Sequence, residues 1–92
     1  MSAEGLTEDE ITARVRAVIR SHARLPVDVG DLADDADLFQ AGMTSHASVN
    51  VMLALEETFD LEFPDSMLTR RMFGSVASIR RAVGALIGAV AR

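Results

Sequence analysis

The sequence predicts an all-α fold, a four-helix bundle with a long loop between helices one and two and a short third helix. Two observations favour this class. The chain is 49% apolar but only 4% aromatic, so its core would consist mainly of aliphatic side chains, which suit packed helices. Apolar residues also recur at helical spacing in three segments. At 92 residues, the chain is expected to form a single domain, 1–92.

The first helix is predicted at about residues 8–23. Thr7 and Glu10 have the spacing of a capping box, which satisfies two free amides at a helix start. Pro26 marks the end of the helix, because the residue before a proline disfavours helical geometry. The apolar positions of this helix are Ile11, Val15, Val18 and Ile19.

The segment 25–44 is predicted to be a long ordered loop. It combines Pro26, Gly30 and Gly42 with five aspartates. Its apolar residues, among them Leu38, favour docking onto the core. A connection this long in a compact domain usually has a function or is disordered, and we expect function here.

Helix two is predicted at Ser45–Phe59, because this segment contains no glycine or proline and Thr44 or Ser45 can cap it. Two stripes of side chains follow its length. The first is apolar and consists of Val49, Met52, Leu55 and Phe59. The second mixes polar and apolar residues, as a partner-facing surface would, and consists of His46, Asn50, Leu53 and Glu57.

Two further helices are predicted in the last third of the chain. Pro64 and Asp65 can open a short third helix that runs to about Arg71. Ser75, directly after Gly74, is a good cap for a fourth helix. The apolar face of this fourth helix consists of Val76, Ile79, Val83, Leu86, Ile87 and Val90.

Charge and composition exclude several kinds of function. The net charge is −5, and no lysine or arginine lies between Leu25 and Thr69. Such an acidic stretch repels nucleic acid and would suit a basic partner surface, although a charged shell kept for solubility is an equal alternative. The chain contains no cysteine, so disulfides and thiolate metal sites are excluded. Its longest nearly uncharged stretch is about half of what spans a bilayer. We expect a cytoplasmic protein, a monomer that binds neither nucleic acid nor a membrane.

Four short segments resemble, in order and spacing, the acyl and peptidyl carrier protein superfamily. They are Asp-Leu-Phe at 37–39, Gly-Met-Thr-Ser at 42–45, Leu-Glu-Glu-Thr-Phe-Asp at 55–60 and Phe-Pro-Asp at 63–65. The resemblance runs from about Asp35 to Val83 and includes the helices in between. It implies the acyl-carrier type of four-helix bundle.

The resemblance implies that Ser45 carries a 4'-phosphopantetheine arm, transferred from coenzyme A by a phosphopantetheinyl transferase. The thiol of the arm would hold an acyl or aminoacyl group as a thioester. A phosphodiester on Ser45 would stand at the start of helix two, where free amides and the helix dipole favour an anion. The chain itself would not be an enzyme. Its other partners would be a cargo-loading ligase or synthetase and a downstream acceptor enzyme.

Two departures from the family pattern bear on the cargo. Thr44 stands where the family commonly has Asp, and His46 stands where it commonly has Leu. Both argue against the housekeeping fatty-acid carrier. The chain is similar to small aminoacyl carrier proteins, which relatives of aminoacyl-tRNA synthetases load with a small amino acid. Specialised fatty-acid or polyketide carriers are the alternative. The residues expected to contact partners are Thr44, His46, Val49, Asn50, Leu53, Glu57 and Met72.

Two other classes of function compete with the carrier. One is an enzyme with Ser45 as nucleophile and His46 or His22 as base, which lacks the Gly-x-Ser-x-Gly elbow and a group to orient the base. The other is a helical adaptor that is never modified. For His22 we expect a partly buried structural role without a metal. Arg70 and Arg71 are expected to be solvent-exposed, with the phosphate of the arm or an acidic partner as alternatives.

Overall fold

The computed structural model describes residues 6–90, and none of these lies in a β-strand. Three α-helices form the fold: α1 is Glu8–His22, α2 is Ser45–Phe59 and α3 is Val76–Val90. The prediction of an all-α fold with a long loop between the first two helices is confirmed. No described helix is both long enough and apolar enough to cross a membrane.

The predicted short third helix is replaced by two 3₁₀ turns, Asp65–Met67 and Met72–Gly74. Leu68 breaks the helix, because its φ of −81° and ψ of 70° lie outside the helical region. Thr69 Oγ1 then accepts a hydrogen bond from the Met72 amide at 3.1 Å, as the cap of a new turn does. The segment instead buries two aromatic rings. Phe63 and Phe73 pack edge to face with their centroids 6.2 Å apart, which fixes the segment against the core.

The capping box predicted at the start of α1 is present. Thr7 Oγ1 accepts a hydrogen bond from the Glu10 amide at 3.1 Å, and the Thr7 amide donates to the Glu10 carboxylate at 3.2 Å. The helix ends at His22, and Arg24 takes a left-handed φ of 52° directly afterwards. The chain therefore turns sharply from α1 into the long loop.

Hydrogen bonds hold the long loop against the start of α3 and the 3₁₀ turn that precedes it. The Leu38 amide donates to the Gly74 carbonyl at 2.8 Å, and the Ala77 amide donates to the Asp34 carbonyl at 2.8 Å. The Leu38 side chain is completely buried. The prediction of an ordered loop that docks onto the core is thus confirmed.

The core lies between the three helices, and α1 packs against both α2 and α3. Every helix and the long loop contribute to it. Its largest fully buried side chains are Ile19, Leu38, Leu55, Ile79, Val15, Val51, Val76 and Val83. The predicted apolar face of the last helix is confirmed where it meets this core, whereas the Val90 side chain lies outside the described residues.

Candidate functional site

Ser45 is the first residue of α2, and Thr44 is the cap of that helix. Thr44 has extended geometry, with φ −86° and ψ 163°, and its Oγ1 accepts a hydrogen bond from the Ala47 amide at 3.0 Å. This decides between the two residues that the sequence offered as caps. Ser45 is exposed, and no described residue forms a hydrogen bond with its hydroxyl. The hydroxyl is therefore available for a covalent attachment.

A compact turn, residues 37–43, presents the start of α2. The Asp37 carboxylate accepts hydrogen bonds from the Phe39 amide at 2.9 Å and the Gln40 amide at 3.2 Å, so Asp37 acts as a local cap. The Met43 amide donates to the Leu38 carbonyl at 3.0 Å and closes the turn. Ser45 follows two residues later, so its position is fixed by a hydrogen-bonded support.

The predicted partner face of α2 is solvent-exposed. Val49 is 50% exposed and Leu53 is 54% exposed, which is unusual for apolar side chains and suits contact with another protein. The polar residues expected beside them are exposed as well: Thr44, His46, Asn50 and Glu57.

Met72, which was predicted to share this partner face, lies in the core and is only 9% exposed. Its 3₁₀ turn directs it inward together with Phe73, since the turn packs against α3. The predicted third helix ran only to about Arg71, so sequence reasoning assigned Met72 no element of its own, and the 3₁₀ turn Met72–Gly74 that buries it was not predicted.

The apolar stripe of α2 also differs from the predicted one. The buried residues are Val51, Leu55 and Phe59, whereas Val49 faces solvent. The spacing i, i+4, i+8 of the buried set was visible in the sequence and would have identified Val51 as the missing core residue.

Neither histidine is arranged for catalysis. His46 follows Ser45 in α2, and no hydrogen bond joins it to the serine hydroxyl. His22 is exposed at the end of α1, so the expectation that it is partly buried was wrong. Within residues 6–90, no group of three histidines, cysteines or carboxylates could hold a metal ion.

An ion-pair cluster ties the long loop to both α1 and α3. The Asp34 carboxylate accepts hydrogen bonds from Arg16 and from Arg80, the latter at 3.0 Å. These bonds hold the pKa of the Asp34 carboxyl below its ordinary value of 3.8. Arg80 also pairs with Glu8 at 3.3 Å. The cluster is structural, since its members belong to the loop and the two helices that the loop crosses.

A family model described as "Phosphopantetheine attachment site" matches residues 13–84, which include the turn, Ser45 and all of α2. The chain belongs to this family of carrier proteins. Proteins of the family carry cargo and are not catalysts themselves, so the chain is a carrier and not an enzyme. The prosthetic group of the family is 4'-phosphopantetheine.

The chain is also similar to individual carrier proteins. It is 44% identical to an aminoacyl carrier protein of Agrobacterium fabrum, over 79% of this chain and 88% of that protein. A carrier protein from Agrobacterium tumefaciens has been solved with an engineered Bradyrhizobium japonicum glycine:[carrier protein] ligase and ATP. The match has a TM-score of 0.79 and 43% identity, and it covers 82% of this chain and 97% of the other. A solution structure of an A. tumefaciens protein matches with a TM-score of 0.68 and 41% identity, over 88% and 99% of the two chains.

Proposed function

We propose that this carrier protein holds an aminoacyl group as a thioester on a 4'-phosphopantetheine arm attached to Ser45. The observation that carries the proposal is the exposed Ser45 hydroxyl at the first position of α2, which has no hydrogen bond to another described residue. Because Thr44 already caps the helix, Ser45 can be modified without loss of the cap.

The start of α2 fits the phosphodiester that such an attachment creates. The first amides of a helix have no partner within the helix. Thr44 satisfies the Ala47 amide with its side chain and the Ser48 amide with its carbonyl at 3.0 Å. The amides of Ser45 and His46 are left to stabilise an anion at this end. The arm supplies the thiol that a chain without cysteine cannot provide.

For the cargo and the loading partner, we propose glycine or a similarly small amino acid and an ATP-dependent ligase. The support comes from the carrier protein that was solved in complex with a glycine:[carrier protein] ligase. This chain is 43% identical to that carrier protein. The ligase would meet the exposed face of α2, with Val49 and Leu53 as apolar contacts and His46, Asn50 and Glu57 around them. A phosphopantetheinyl transferase and an acceptor enzyme complete the proposed partners.

Several further properties belong to the same proposal. The family match supports a carrier domain over residues 13–84, and a single domain over residues 1–92 stays a prediction of the sequence. A monomeric state and a cytoplasmic location stay predictions of the sequence. A flexible tether would keep the cargo at high effective concentration near successive enzymes, and a single small domain suffices for this purpose.

Intact mass spectrometry tests the attachment site. The protein is incubated with coenzyme A, magnesium and a broad-specificity phosphopantetheinyl transferase. Ser45→Ala is the test variant, and Ser48→Ala, in the same helical turn, is the matched control. We expect a mass gain of one phosphopantetheine in the parent and in Ser48→Ala and none in Ser45→Ala. Loading that persists in Ser45→Ala would contradict the assignment.

The cargo is tested on the protein that carries the arm. With ATP and a glycine:[carrier protein] ligase, we expect a second mass gain of one glycyl group that neutral hydroxylamine removes, as it does thioesters. Loading only by fatty-acyl or polyketide enzymes would instead support the alternative carrier class. An absence of any arm after treatment with several transferases would favour the unmodified adaptor.

A further inference from the structure

Arg70 packs its guanidinium over the ring of Phe39. The guanidinium carbon lies 3.9 Å from the ring centroid, which is well within the range of a cation–π contact. Phe39 is half-buried and packs against the core, so its ring is a fixed surface. The contact therefore holds the charge of an otherwise exposed, flexible side chain at one place.

That place adjoins the turn that presents Ser45. The Phe39 carbonyl accepts a hydrogen bond from the Gly42 amide at 3.1 Å, so Phe39 belongs to the compact turn 37–43. Ser45 lies two residues beyond Met43, the last residue of this turn, which limits the distance between the Cα atoms of Met43 and Ser45 to about 7 Å. Arg70 is thus held against the turn that leads into Ser45.

Unlike the arginines that pair with aspartates of the long loop, Arg70 has no acidic partner among the described residues. Arg16 and Arg80 pair with Asp34, and Arg20 lies 3.9 Å from Asp28. No described carboxylate pairs with Arg70. A guanidinium that stacks on a ring uses only its face, and the five N–H donors in its plane remain able to bind oxygen atoms.

We propose that Arg70 is a positioning residue for the phosphodiester that joins the arm to Ser45. The inference rests on the proposed function, because only a modified Ser45 places a phosphate there. The planar fork of donors matches two phosphate oxygens, and the Phe39 ring restricts the side chain before the phosphate arrives. The base of the arm is then held in one orientation, while its thiol end stays mobile.

Arg71 provides a matched control. It is the next residue in the chain, carries the same charge and is exposed, and no described aromatic ring lies under its guanidinium. An effect of net charge alone would be the same for both arginines. An effect of position would belong to Arg70 and would also depend on Phe39.

Phosphorus and nitrogen NMR of the protein that carries the arm test the proposal. The samples are the parent, Arg70→Gln, Arg71→Gln and Phe39→Leu, each first checked for the mass of the arm. On attachment of the arm, we expect the Arg70 Nε–Hε resonance to move downfield in the parent. We expect a narrower, displaced phosphorus resonance in Arg70→Gln and, to a lesser extent, in Phe39→Leu, with Arg71→Gln like the parent. Raising the ionic strength of the parent sample should change its phosphorus resonance in the same direction as Arg70→Gln does, because salt screens the attraction between the guanidinium and the phosphate.

The outcomes separate this inference from the proposed function. If the arm attaches to Ser45 but the phosphorus resonance is the same in Arg70→Gln and in the parent, Arg70 does not position the phosphodiester. Equal changes in Arg70→Gln and Arg71→Gln would also overturn the inference, since they would indicate a general charge effect. If no arm attaches to Ser45, both the inference and the proposed function are wrong.

Discussion

Gly42 lies so close to Pro26 that a Cβ atom at Gly42 would stand 2.8 Å from the Cδ atom of the proline ring. The two residues belong to opposite ends of the long loop. Their contact brings the start of the loop, just after α1, against the turn that precedes Ser45. The φ of Gly42 is 122°, a conformation that other residues rarely adopt. The position requires glycine for both reasons.

Gly42→Ala is therefore expected to destabilise the fold by more than about 1 kcal/mol, because alanine meets both the unfavourable φ and the proline ring. Gly84→Ala is the control. Gly84 lies within α3, and a Cβ atom added there would meet nothing within 4 Å, so alanine should stabilise the helix by roughly 0.5–1 kcal/mol. Urea unfolding followed by circular dichroism measures both. Equal stability of Gly42→Ala and the parent would contradict the role of the contact.

Thr44→Ala is expected to reduce the free energy of unfolding by about 1 kcal/mol, since it removes the side chain that caps α2. Ser45→Ala should cost much less, because the Ser45 hydroxyl bonds no described residue. Urea unfolding followed by circular dichroism compares Thr44→Ala and Ser45→Ala, each prepared without the phosphopantetheine arm. A larger loss in Ser45→Ala than in Thr44→Ala would mean that Ser45 has a structural role that the geometry does not give it.

Asp34→Asn is expected to lower stability at neutral pH by about 1 kcal/mol, as it weakens pairs with two largely buried arginines while Asp34 itself is 47% exposed. Hydrogen bonds from Arg16 and Arg80 lower the pKa of the folded Asp34 carboxyl below 3.8. The charged Asp34 carboxylate contributes fully to the free energy of unfolding at pH values above 3.8. This contribution is lost as the pH falls below 3.8 and through the lower pKa of the folded protein. The difference between parent and variant should therefore be constant near neutral pH and shrink below about pH 4.

Asp35→Asn serves as the control for this pH dependence. Asp35 is the adjacent exposed residue of the loop and forms no ion pair with a described side chain. In thermal unfolding experiments, the difference in melting temperature between Asp35→Asn and the parent should stay small and should not change with pH as the difference for Asp34→Asn does. A difference between parent and Asp34→Asn that persists unchanged in acid would show that the effect is not due to the charge of Asp34.

The features that the sequence predicted well are local. The bounds of α2 follow from its uninterrupted helix formers, and the capping box of α1 follows from Thr7 and Glu10, because each depends on residues only a few positions apart. The placement of Ser45 at the start of α2 was predictable for the same reason.

The features that sequence reasoning missed depend on distant residues. Met72 is buried because Phe63 and Phe73 pack together and hold its turn against the core. Arg70 meets Phe39 across a separation of many residues, and no periodic pattern marks such a pair. Tertiary packing decides such contacts, and it overrides the local preference for a third helix.

Leu53→Ala is expected to lower the kcat/KM of cargo loading by roughly fivefold, corresponding to about 1 kcal/mol of lost contact at an apolar interface residue. Leu53 is 54% exposed, so its truncation should leave the free energy of unfolding nearly unchanged. Val27→Ala is the control, since Val27 is an apolar side chain of similar exposure, 46%, on the long loop outside α2. The measurement is loading of the arm-bearing protein by a glycine:[carrier protein] ligase, followed by intact mass. Equal loading of Leu53→Ala and Val27→Ala would place the partner surface elsewhere than the exposed face of α2.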